Sequence, residues 1–288
     1  MGVKVCIDAG HYGYYNRCPS NDPVLSTYWE SKFSWTFHNL LADELKSYGI
    51  EVIKTRANQG TDLSLTARGQ KAKGCDFFLS IHSNALGSGT MYETTDYPLA
   101  CCTVTHKVDS LGDKLAKAVE TTMGTVQPSR RINKVGSSNQ DWYGVLRGAA
   151  SVGVPGILLE HGFHTNSRCV RWLLDNEHLK ALAAAEAKII AEHFGIKEKT
   201  GSGTSVAPAT TQPSNPTTPT TSFLVKVICN ELNVRKDAGT EYQIVTKIHK
   251  NEVYTIVETK KAKDGGTWGK LLSGAGWINI GSSFVKKV

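Results

Sequence analysis

The sequence has no run of about 18 apolar residues, so no segment of it reads as a membrane-spanning helix. Its seven cysteines, at 6, 18, 75, 101, 102, 169 and 229, include no CxxC pair. That removes the spacing of a structural zinc site, and a disulfide framework is not expected in a chain of this size, so the cysteines read as reduced thiols. The amino terminus, MGVKVCIDAGH, lacks a positive n-region, an apolar h-region and a small-residue cleavage site. The expectation is a protein made in the cytosol without an ordinary export signal. Charge is missing altogether from Thr200 to Ser222, a stretch with four prolines and eight threonines. Such a segment cannot bury enough apolar surface to offset the entropy of ordering, and is expected to be an extended linker.

What remains falls into two parts on either side of that linker. With 288 residues, 40% hydrophobic and 20% charged, the chain is long enough for one sizeable soluble domain and a smaller one. The boundaries read as a first domain over 1–196, a linker over 197–222 and a second domain over 223–288. The net charge of +7 is uneven: residues 223–288 carry 11 Lys/Arg against 6 Asp/Glu, while residues 1–196 carry 20 against 19. A solvated basic surface accounts for most of those lysines, and attraction to an anionic polymer is the functional alternative.

In the first part, strand and helix patterns alternate. VKVCIDA (3–9), EVIKT (51–55), DFFLSIH (76–82) and GILLEHG (156–162) are short β-type runs. Phe33, Phe37, Leu40, Leu41 and Leu45 recur at helical spacing, as do Leu111, Leu115, Ala118 and Val119, and the Ala-rich stretch from Trp172 to His193 reads as a closing helix. This implies an α/β fold in which helices sandwich a mostly parallel, twisted sheet. After the linker the pattern becomes FLVKVICN, LNVRK, IVTKIHK, VYTIVETK, TWGKLL and GWINI, with no helical period, which predicts a small all-β barrel.

Three strands of the first part end in a residue able to bind a metal or move a proton. IDAGH supplies His11, LSIH supplies His82 and ILLE supplies Glu160. Ligands in open α/β sheets collect beyond the carboxyl ends of the strands, so these side chains can converge there. A lone histidine after a strand is more often a hydrogen-bonded turn residue, but two of them with a carboxylate at a third strand end weaken that explanation. Catalytic zinc takes three protein ligands and leaves a fourth position open, and Glu30, at the start of the first amphipathic helix, is the candidate third. Thr27-x-x-Glu30 is equally the spacing of a capping box, in which the glutamate only satisfies a backbone N–H, and spacing alone leaves both readings open.

DAGH, the helix-opening Glu30, EVIKTR, LSIHSNA and VLRGAASVGVPGILLEHGFHTN, in that order and over nearly all of residues 3–194, resemble the zinc-dependent N-acetylmuramoyl-L-alanine amidases. The resemblance implies that His11, Glu30 and His82 bind one zinc ion and that Glu160 is the catalytic carboxylate. The substrate it implies is bacterial peptidoglycan, cut between N-acetylmuramic acid and L-alanine, with no nucleic acid partner and no stable membrane association. Tyr-Gly after DAGH departs from the family's glycine-rich first motif and leaves the ligand in place. Asn84 is a candidate substrate contact or a turn cap, and Arg56 and Arg147 either face the acidic peptide stem or pair with carboxylates. In the second part, LNVRKDAGTEYQ and GWI resemble bacterial SH3-like domains appended to cell-wall enzymes. Tyr242, Trp268 and Trp277 are candidates for stacking on wall components, with packing in the core of so small a barrel as the commoner role.

Competing readings are a thiol hydrolase using Cys101, Cys102 and His106, a zinc peptidase cutting within the wall peptide, and a non-catalytic wall-binding protein. With the absent export signal, the amidase resemblance leads to the expectation of an endolysin of a bacteriophage with a Gram-positive host, held in the host cytoplasm and acting on the wall after release. A bacterial autolysin freed by mother-cell lysis shares those features.

Overall fold

Alternation along each central strand sorts side chains onto two faces, and each face is apolar. In the computed structural model, which describes residues 2–87, 89–197, 223–250, 252–263, 265–271 and 276–287, these strands build the first of two compact units, Met1–Ser205 and Val206–Val288. The linker expected over 197–222 lies outside the described residues from 198 onward.

The first unit runs β1 (Lys4–Ala9), α1 (Glu30–Ser47), β2 (Glu51–Lys54), α2 (Leu65–Gln70), β3 (Phe77–Asn84), β4 (Leu99–Cys102), α3 (Asp109–Met123), β5 (Arg130–Ile132), α4 (Gly144–Ala150), β6 (Gly156–Phe163), α5 (Ser167–Leu173) and α6 (Asn176–His193). The sheet order is β2-β1-β3-β6-β4-β5. Every neighbouring pair is parallel except β4 with β6. Val5, Ile7, Phe77, Leu79, Ile81, Ile157 and Leu159 pack with the apolar stripes of α1, α3 and α6. Their sequence neighbours Cys6, Phe78 and Leu158 pack on the other side against Val145, Leu146 and Ala149 of α4. The expected mixed α/β sandwich is thus formed, with the central strands buried on both faces.

Three local features differ from expectation. LACC forms β4, which runs antiparallel to β6, with Cys101 opposite Leu158. The closing helix is two helices: α5 ends at Leu173, and Asp175 caps α6 by accepting from the N–H groups of Glu177 and His178 at 2.8 and 3.3 Å. A capping aspartate favours a new start over continuation, so the chain turns there. Strands β3 and β6 also continue past His82 and Glu160, to Asn84 and Phe163.

The second unit contains β7 (Phe223–Val227), β8 (Glu231–Arg235), β9 (Ile244–His249), β10 (Val253–Lys261), β11 (Thr267–Leu271), β12 (Trp277–Asn279) and β13 (Val285–Lys287). All pairings are antiparallel, in the order β13-β7-β10-β11-β12-β8-β9. Val225, Val227, Val234, Ile256 and Ile278 form its small core.

Candidate active site

The His11 end of the site is built by a turn that only a small residue permits. Gly10 donates its N–H to the carbonyl of Ile81 at 3.1 Å, and a Cβ at Gly10 would lie 2.4 Å from Cε1 of His82. His11 itself has φ of 58°, the left-handed region, which turns the chain sharply off the strand. Arg68, buried on α2, holds this turn from behind. Its guanidinium donates to the carbonyls of Ala9 (2.7 Å) and His11 (3.0 Å) and to Asp8 (3.2 Å).

Glu30 opens α1, but not as half of a capping box. The N-cap is Trp29, and the Thr27 hydroxyl donates to the carbonyl of Val24 instead. The Glu30 carboxylate is buried and points at two imidazoles. Oε1 lies 2.8 Å from Nδ1 of His82 and accepts the N–H of Ser83 at 3.1 Å. Oε2 lies 3.2 Å from Nε2 of His11 and accepts from Asn16 at 2.6 Å. Burial alone would push this carboxyl up, but the hydrogen bonds and charges of His11 and His82 outweigh it and hold it well below the usual carboxylate range. One donor atom from each of His11, Glu30 and His82 lies within 4.8 Å of the others, which is the grouping a divalent cation requires.

Behind His82 runs a chain of hydrogen bonds that fixes its ring. Nε2 meets the Ser80 hydroxyl at 3.2 Å, Ser80 donates to Asp8 at 2.8 Å, and Thr55 donates to the same carboxylate at 2.6 Å. With a cation bound, Nε2 would carry the hydrogen toward Ser80 and leave the Nδ1 lone pair to the cation in place of the hydrogen bond to Glu30.

Glu160 stands beside His82 in the parallel register of β3 and β6. Its Oε2 is buried with no hydrogen-bond partner among the described residues. Burial, and secondly the charge of Glu30, raise its pKa well above the ordinary carboxyl value. A carboxyl with one oxygen buried and unpartnered is costly as a structural element and suited to carrying a proton. A cleft of about 290 Å³, lined by Tyr12, Tyr15, Leu65 and Val145 among others, opens onto His11 and His82.

The remaining sequence candidates lie elsewhere. Asn84 is half-buried and accepts the N–H of Ala85 at 2.8 Å, as in a turn. Arg56 is buried, donates to the carbonyl of Ala9 at 2.9 Å and packs on Trp35, so it braces the His11 turn. Arg147 is exposed on α4, with one end of its guanidinium on the carbonyls of Asp141 and Trp142. In the second unit, Trp268 and Trp277 are buried, at 2% and 7% exposure, against Ala238, which is the packing role that the sequence made the commoner one for them. Tyr242 is exposed. Cys101 and Cys102 are buried in β4 and point to opposite faces of the sheet, and burial pushes both thiols up to about 12. Such thiols are not nucleophiles. The chain Asp8–Ser80 and the arginine clamp of Arg68 escaped the sequence reading, because nothing local marks residues 60 to 72 positions apart as partners.

Known proteins match the first unit in sequence and in fold. The family model described as N-acetylmuramoyl-L-alanine amidase matches residues 5–192. N-acetylmuramoyl-L-alanine amidase CwlM of Bacillus licheniformis is 27% identical over 198 residues, covering 68% of this chain and 70% of that protein. The sporulation-specific N-acetylmuramoyl-L-alanine amidase of Bacillus subtilis (strain 168) is 25% identical over 201 residues, covering 70% and 72%. In fold, the chain is similar to the catalytic domain of CwlV from Bacillus (Paenibacillus) polymyxa var. colistinus, with a TM-score of 0.54 at 22% identity over 68% of this chain and 99% of that one.

Proposed function

The chain belongs to the N-acetylmuramoyl-L-alanine amidase family of peptidoglycan hydrolases, and from that premise we propose that it is a zinc-dependent amidase whose metal ligands are His11, Glu30 and His82 and whose proton carrier is Glu160. The bond cut is the amide between the lactyl group of N-acetylmuramic acid and L-alanine of the peptide stem. The observation that carries this reading is the buried Glu30 carboxylate, which turns one oxygen to each imidazole. Two imidazoles and a carboxylate, with the far nitrogen of His82 tied to Ser80, are a donor set that fits zinc.

Zinc bound there would polarise the amide carbonyl and bring the pKa of water down to about 7. The protein's own part is to place and move protons. Glu160, beside His82, takes a proton from the attacking water and delivers it to the leaving nitrogen, so that the amine departs neutral. The burial of its Oε2 beside the apolar side chains of β6 favours the protonated form of Glu160 between the two transfers. Arg68 and Arg56 hold the carbonyls that position His11.

For the second unit, LNVR and GWI support an SH3-like module that tethers the catalytic unit to the wall and raises its local substrate concentration. Incubation of the protein with Gram-positive peptidoglycan, with and without a zinc chelator, tests the reading by mass spectrometry of the released ends. Chelator-sensitive release of stem peptides that begin with free L-alanine is expected. Cuts inside the peptide would replace the amidase by a zinc peptidase.

A further inference from the structure

The loop after His11 has no part in the reaction as derived above, and it is unusually aromatic. Tyr12, Tyr14 and Tyr15 expose 45%, 63% and 53% of their surface within four consecutive residues. Three large rings in water beside a catalytic cleft mark a contact surface more readily than a packing accident.

This loop is held in place despite its exposure. Tyr15 donates its N–H to the Ser31 hydroxyl at 3.0 Å, that hydroxyl donates to the carbonyl of Gly13 at 2.9 Å, and the N–H of Glu30 donates to the carbonyl of Asn16 at 2.9 Å. Gly13, with φ of 61°, supplies the left-handed bend between Tyr12 and Tyr14. Two of the rings are fixed as well. Tyr15 stacks on His11 with centroids 4.7 Å apart and planes 12° apart, and Tyr14 stands edge-on to Trp29 at 5.2 Å. Tyr12 and Tyr15 line the same cleft as His11 and His82. Binding to rings already held loses little side-chain entropy.

The charges beside the rings bear on what they bind. Lys32 is turned onto Tyr14, 3.0 Å from its hydroxyl and 4.1 Å from the ring centre. Arg17 donates to the carbonyl of Ser26 at 2.8 Å and lies 5.9 Å from the Trp29 ring. Cations committed to rings and carbonyls are poorly placed to receive the carboxylates of a peptide stem. A pyranose ring suits the strip better, since its flat C–H face matches an aromatic face and its hydroxyl and acetamido rim matches tyrosine hydroxyls and an ammonium.

The geometry points to a sugar-stacking subsite on Tyr12 and Tyr14, which holds a pyranose of the glycan strand beside the amide to be cut. This rests on the amidase reading for its place in catalysis. The subsite makes the catalytic unit itself select for polymeric glycan.

The test uses the full zinc-loaded chain and two substrates with the same peptide, one on a single N-acetylmuramic acid and one on a four-sugar strand. Wild type is expected to show a higher kcat/KM on the longer glycan, and Tyr12→Ala/Tyr14→Ala to lose about tenfold of that preference through KM. Tyr15 is left intact because it touches His11. An unchanged preference in the alanine pair overturns the proposal, as does a loss that follows peptide length at a fixed single sugar. Titration of intrinsic fluorescence with the N-acetylglucosamine tetramer gives a readout independent of cleavage. Saturable binding by wild type and by Tyr12→Phe/Tyr14→Phe is expected, and its absence from wild type overturns the subsite. Failure of the amidase reading would show separately, as binding of the tetramer without release of free L-alanine from either substrate.

Discussion

The two units of this protein bury different chemistry. Every buried polar or charged side chain among the described residues belongs to the first unit, from Asp8 to Glu186. The second unit closes its core with Val225, Val227, Ile256, Ile278 and two tryptophans. A buried charge costs stability unless it is paired, and a fold keeps one mostly where it does something. The first unit brings the buried Asp8 and Glu30 and the partly buried His82 and Glu160 together from β1, α1, β3 and β6, while the second is a packing solution whose proposed wall binding would use its outside. The aromatics make the same point in reverse: the first unit exposes its tyrosines beside the cleft, and the second hides Trp268 and Trp277.

The largest expected effect falls on the first side of that contrast. Glu160→Gln keeps the shape and removes the proton carrier, so turnover should drop by about 10² to 10⁴ while the thermal midpoint is kept or rises. Steady-state release of L-alanine ends measures the first, and calorimetry the second. Retained turnover would dismiss Glu160 from the role. Next comes Trp268→Ala, expected to cost the second unit about 3 to 5 kcal/mol by cavity formation. Denaturation followed by fluorescence reads that loss, while hydrolysis of a soluble muropeptide should not change; a parallel loss of hydrolysis would mean that the units are not independent.

A smaller effect sharpens the contrast through pH. Burial pushes the imidazole of His38, on α1, down to about 4, so the folded first unit favours it neutral. The unfolded chain takes up that proton below about 6.5, and the folded unit only near 4, so this group makes stability fall as pH drops through that window, by about 1.4 kcal/mol per unit. In His38→Gln the stability of the first unit should depend less steeply on pH between 6.5 and 4. Identical slopes would remove His38 as a cause. The smallest effect is that of Tyr242→Ala, at an exposed ring of the second unit, which should weaken sedimentation with intact walls by roughly threefold; unchanged sedimentation would remove that ring from the wall-binding surface.

How much of this could be read beforehand follows the same division. His11 lies just past β1, and His82 and Glu160 lie toward the carboxyl ends of β3 and β6, each in a local motif; the carboxyl ends of strands in an α/β sheet share one edge, so their convergence was legible. Glu30 was ambiguous because a capping box and a ligand share one spacing; only the side-chain direction, toward His82 and away from the helix backbone, removes the capping box. Arg68 and Ser80 were illegible, since their partner Asp8 is 60 and 72 residues away. Strand β4 was missed because four residues in LACC carry no period. For Trp268 and Trp277 the sequence left stacking and core packing both open, with packing the commoner, because type does not reveal which face of a short strand looks inward.

The central claim is that His11, Glu30 and His82 form a zinc site served by Glu160. It is tested most directly by metal content of purified wild type, His82→Ala and Glu160→Gln, measured by elemental mass spectrometry alongside turnover. The account predicts one zinc per chain in wild type and in Glu160→Gln, little in His82→Ala, and turnover in wild type alone. Full zinc occupancy in His82→Ala would contradict it.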